Sequence, residues 1–250
     1  MNSVGIPSPS GQVLSLVSAL LSPENHVLHV QAIQARDQAL SASIESYANL
    51  CLQLALVMIA SDHTPSEAIL SRIATQDMNQ WRAADESSVQ ELILNPHQWI
   101  VLGQTAGIIL KTALVRPPFC GNRQACIPSG AITEELQRYV LHLVLSSSHV
   151  ELRNVASSIV ASCAVSSDGV QPTLHVSAWG TLVPTLKNGV LQQHSGALEI
   201  VRKMLEDGPQ EFELQQIDSL VEALIEVCGG RLSDESHHQV LQSLLNCFLT

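Results

Sequence analysis

Apolar residues return every three to four positions along most of the chain, which is the period of an α-helix. Val13, Leu14, Leu16, Val17, Leu20 and Leu21 form one such stripe, and Ser22-Pro23 ends it. A second helix is predicted over Val27–Leu40, with Val30, Ile33 and Leu40 on one face. Tyr47–Ala60 is a strongly apolar third helix. Trp99–Val115 is a fourth, closed by Pro117-Pro118 because proline cannot continue the helical ladder. Thr133–Leu145 and Val150–Ala164 follow. Thr133, with Glu134 and Glu135 behind it, reads as a helix start, since acidic groups suit the positive N-terminal end. Trp179–Val190 is next, with Pro184 inside it, and Ser195–Glu206 stops at Gly208-Pro209. Gln216–Cys228 ends at Gly229-Gly230, and Asp234–Leu249 is the last. Sustained polar/apolar alternation is missing, so no strand is predicted. Asn188-Gly189 lies in a helix-like stretch and reads as a local irregularity rather than a hairpin turn.

The helices fall into pairs. From Thr133 onward the pair starts recur near 133, 177 and 216, a period of about 40 residues that matches HEAT and armadillo repeats. One pair cannot bury its apolar face alone, whereas stacked pairs build a continuous core. The fold expected is therefore all-α: an α-solenoid of about five HEAT-type helix pairs. It would run over residues 12–250 behind a flexible N-terminal tail at 1–11. The turn Ser146-Ser147-Ser148-His149 is a natural join between the two helices of one unit. Two stretches break the period. Residues 61–97, rich in Asp and Glu, read as a loop insertion with a short helical pattern at Ser66–Ile73. Residues 116–131 are Pro- and Gly-rich and read as an inter-repeat loop.

Charge narrows the function. Twelve Lys and Arg against 23 Asp and Glu give a net charge of −11 over 250 residues. The few cations form no stripe for phosphates, which argues against nucleic acid and against an anionic membrane surface. A negative surface suits a basic protein partner. The longest apolar stretch, Leu50–Ala60, is broken by Gln53 and is about half the length of a span, so no membrane insertion is expected. The polar, Pro/Ser-rich start lacks the pattern of a secretory signal.

Catalytic and metal chemistry find little support. Of the cysteines Cys51, Cys120, Cys126, Cys163, Cys228 and Cys247, only Cys120 and Cys126 are close, and no CxxC occurs. Free thiols in a reducing compartment are expected. His237 and His238 are adjacent, so on a helix they point apart, and no HExxH or His-x3-His spacing appears. No GxSxG, phosphate-binding Gly-rich loop or GxGxxG is present. Neither a catalytic residue, a metal site nor a cofactor is assigned, and the chain does not read as an enzyme. Trp99 and Trp179 read as packing anchors, and Arg153 as a member of an inter-repeat hydrogen-bond ladder. Gln31, Gln34 and Asp37 form a polar strip at i, i+3 and i+6 that could meet a partner.

Three fragments, in order, carry a family resemblance. Trp179-Gly180-Thr181-Leu182-Val183-Pro184-Thr185-Leu186 resembles the W-P-x-L-[IL]-P-x-L signature of the fourth repeat in the importin-β/transportin family. Leu143–Ala156 looks like the preceding repeat, with Leu152-Arg153 in its turn. Thr105–Thr112 looks like the A/S-G-L-x-L-K-N segment of the second repeat's inner helix, with Lys111 on the motif lysine. Thr112 stands where the motif has Asn, and Gly180 where it has Pro. The first two helices also match the start of such a receptor in placement and length.

The resemblance implies the N-terminal region of a nuclear transport receptor that binds the small GTPase Ran in its GTP form. In the family the second helix of each pair lines the concave face, which maps to Val27–Leu40, Trp99–Val115, Val150–Ala164 and Ser195–Glu206. Lys111 and the strip Gln31, Gln34 and Asp37 are then the candidate partner-binding residues. Cargo proteins and nucleoporins are further expected partners, with a monomer shuttling between cytoplasm and nucleus. The alternative is a HEAT/armadillo scaffold subunit of an assembly unrelated to Ran.

Overall fold

The fold is taken from a computed structural model, which describes residues 9–21, 24–62, 96–115, 131–167, 172–174, 182–192, 194–207, 220 and 222–226. Among these the chain is nearly all helical. The helices are α1 (Gly11–Leu21), α2 (His26–Ala42), α3 (Ile44–Asp62), α4 (Pro96–Val115), α5 (Ala131–Ser146), α6 (Val150–Ala164), α7 (Leu182–Leu191) and α8 (Ser195–Asp207). A further helical stretch occupies 222–226. The insertion at 61–97 lies outside the described residues over 63–95, and the loop at 116–131 over 116–130. The tail at 1–8, the signature residues Trp179, Gly180 and Thr181, His237-His238, and the Asp234–Leu249 helix also lie outside them, as does most of Gln216–Cys228.

Local signals explain where the helices begin. Ser10 Oγ accepts from the Val13 N–H at 3.3 Å, Asn25 Oδ1 from Leu28 N–H at 3.3 Å, and Ser43 Oγ from Ser46 N–H at 3.0 Å. Each bond satisfies an N–H that the first helical turn leaves without a carbonyl. Pro96 opens α4, where its fixed φ suits the helix and its missing N–H costs nothing. Pro184 is tolerated in α7 for the same reason, being the third residue of the helix. α5 begins at Ala131, two residues before the start expected at Thr133.

The chain packs as two compact units. The first comprises Met1–Ala113, Pro117–Phe119 and Pro128–Tyr139. In it α1 packs on α2 and α3, and α2 packs on α3. α3 is its core: Tyr47, Ala48, Leu50, Cys51 and the continuous run Leu54–Ile59 are all buried. The buried Tyr47 Oη donates to the Ala113 carbonyl of α4 at 3.0 Å, and Ser10 N–H donates to Gln53 Oε1 of α3 at 2.7 Å. From α4, Trp99, Leu102, Ala106, Ile109 and Leu110 are buried.

The second unit comprises Leu114–Arg116, Cys120–Ile127 and Val140–Thr250. Here α8 packs on both α6 and α7. Leu152, Ile159, Val160, Leu186, Leu198 and Ile200 form its interior. The turn between α5 and α6 is tied by its own side chains. Ser147 Oγ accepts from His149 N–H at 3.1 Å, and Arg153 Nη1 donates to the Ser147 carbonyl at 2.7 Å. Arg153 therefore ties the turn just before its own helix, where an inter-repeat ladder was expected.

Two expectations need correction, and one predicted helix is less buried than its neighbours. α2 buries only Ala32: Val30 is 36 % exposed, and Ile33 and Leu40 are half-buried. It packs on α1 and α3, but most of its apolar residues are covered only in part. A short antiparallel ladder pairs β1 (Val165–Ser167) with β2 (Pro172–Leu174), in the register Val165↔Leu174, Ser166↔Thr173 and Ser167↔Pro172. Three residues per strand are too few to show alternation in sequence. Finally, α3 and His97–Val115 are each 19 residues long and apolar enough to cross a membrane by length and composition, beyond the half-span expected of Leu50–Ala60. The helices run on through polar residues such as Gln53, Ser61, Gln104 and Thr105, which interrupt an apolar run but not a helix. In α3, 61 % of the apolar window is buried inside the protein.

Candidate partner-binding surface

The residues singled out for partner contact lie on two helices of the first unit. Gln31, Gln34 and Asp37 all sit on exposed positions of α2, so the spacing i, i+3, i+6 does form one solvent-facing strip. Asp37 is held by its neighbour: Arg36 Nε donates to Asp37 Oδ1 at 2.8 Å, and Arg36 Nη2 lies 2.7 Å from the same oxygen. The Asp37 carbonyl accepts from Ser41 Oγ at 2.6 Å. Asp37 thus presents a partly neutralised carboxylate.

Lys111 belongs to the last turns of α4 and is half-buried. It stands between Ile108, which is 59 % exposed, and Val115, which is 41 % exposed. Thr112 is exposed and turns its Oγ1 back to the Ile108 carbonyl at 2.9 Å. Positions 101, 104, 105, 108, 111, 112 and 115 recur at helical spacing and none is buried. They form one face of α4, mixed apolar and polar, with a single cation in it.

The second unit carries a charge cluster that the sequence reading passed over. On α8, Glu199 accepts from Arg202 Nε at 2.9 Å and from Arg202 Nη2 at 2.6 Å, with Lys203 Nζ at 3.5 Å. Burial pushes the Glu199 carboxyl upward, but the hydrogen bonds and charges of Arg202 and Lys203 outweigh it and hold it below its usual range. The signal was legible as the i, i+3 and i+4 spacing of one acid with two bases. On α6, Glu151 and Asn154 are exposed.

Cys51 and Cys163 are buried and belong to no disulfide; the other four cysteines lie outside the described residues. Burial pushes the Cys51 thiol up to about 12, against a smaller downward pull from its hydrogen bond with Tyr47. No nucleophile is activated by that environment. Among the described residues no group of three or more His, Cys, Asp or Glu side chains is arranged to hold a metal ion. Comparison with protein-family models, with curated proteins and with solved structures gives no match for this chain.

Proposed function

We propose that this chain is a protein-binding module of stacked HEAT-type helix pairs, resembling the N-terminal region of an importin-β/transportin receptor, and that it binds Ran-GTP. The observation that carries the reading is the packing order around α8. α8 packs on α7, which precedes it, and also on α6, which is compatible with α7 and α8 as one pair stacked on the pair that holds α6. That is the contact pattern a stack of helix pairs requires. The short turn that joins α5 to α6, tied by Arg153, suits a join between the two helices of a preceding pair. The family-like segments also fall on helices: Leu182–Leu186 opens α7, Leu143–Ala156 spans the α5–α6 turn, and Lys111 is in α4.

On this reading the second helices α2 and α4 of the first unit carry the binding residues. The exposed strip Gln31, Gln34 and Asp37 and the α4 face around Lys111 are the contacts. The function is binding rather than catalysis, with no cofactor. GTPase binding would be coupled to cargo or nucleoporin binding, each changing the other's affinity by the same factor. The protein acts as a monomer, without membrane insertion or nucleic-acid contact, and shuttles between cytoplasm and nucleus. Burial of α3 by its own neighbours supports a packed role for that apolar helix.

The test is retention of the purified chain on immobilised Ran loaded with a non-hydrolysable GTP analogue, beside Ran-GDP. Selective retention by the GTP form supports the reading. Equal failure on both, with a helical circular dichroism spectrum, rejects Ran and leaves a scaffold subunit of another assembly.

A further inference from the structure

We draw no further inference here: the strongest candidate, the exposed face of α4 that carries Ile108 and Val115 on either side of Lys111, is an unpartnered helix face, and nothing in the structure shows what covers it beyond the partner already proposed.

Discussion

Gly196 leaves no room for a side chain. A Cβ there would run into the carbonyl carbon and oxygen of Val144, so the first turn of α8 lies backbone-to-backbone on the end of α5. A carbonyl cannot rotate away as a side-chain tip can. Gly196→Ala should therefore cost about 1–3 kcal/mol. Thermal melts should show it as a fall of roughly 2–4 °C per kcal/mol at this chain length. Gly189 makes the related approach in α7, where a Cβ would meet that of Ala197. It explains why Asn188-Gly189, a turn pair by composition, sits inside a helix. Cys51 offers a second check. With its thiol pushed up to about 12, it should resist alkylation at pH 8 in the folded protein and react on unfolding, read by mass spectrometry of the Cys51 peptide. The stabilisation is complete below the ordinary thiol value of 9.0, where the unfolded thiol is also neutral. It is lost as pH rises from there towards 12, because only the unfolded chain releases the proton. None of these contacts is written in local sequence, since each needs a neighbour from another turn or helix.

At the scale of elements, the period located the helices but not their burial. Val150–Ala164 is predicted and observed with the same ends, because Ser148-His149 and the ladder that follows break the pattern on both sides. α2 has a similar period yet buries Ala32 alone, while α3 buries nearly everything from Leu54 to Ile59. Hydrogen exchange should separate them: α2 amides should exchange well before those of α3, as fewer buried apolar contacts mean cheaper local opening. The α8 cluster gives a pH test. Glu199 is held below its usual range in the fold, so its contribution is present above the ordinary carboxyl value of 4.5. It is lost as pH falls through the lowered folded value. Glu199→Gln should flatten the acid side of a melting-temperature profile, with a loss at neutral pH of less than about 1 kcal/mol because solvent screens a half-exposed pair.

For the molecule as a whole, the expectation to test is nucleotide-selective binding. Combined alanine substitution of Gln31, Gln34 and Asp37 should weaken retention on Ran-GTP several-fold while leaving the helical spectrum and melting temperature unchanged, since all three are exposed. Lys111→Ala should act in the same direction. Unaltered retention by both variants would move the binding face elsewhere. The helical class of this chain was determined by its sequence alone, through a 3.6-residue period that any helix packing on one side must show. So were some helix ends, such as Leu21, Val115 and Ser195, because breakers and caps act within a turn of their own position. Tertiary structure decided the rest. Which period-bearing helix is buried depends on the facing surface, as α2 and α3 show. Whether Arg153 bonds within its own pair or to the next depends on the shape of the Ser147 turn. The three-residue ladder at Val165–Ser167 exists because Pro172–Leu174 comes alongside it. Burial, close approach and pairing are properties of two segments at once, and a pattern read along one chain segment carries only half of each.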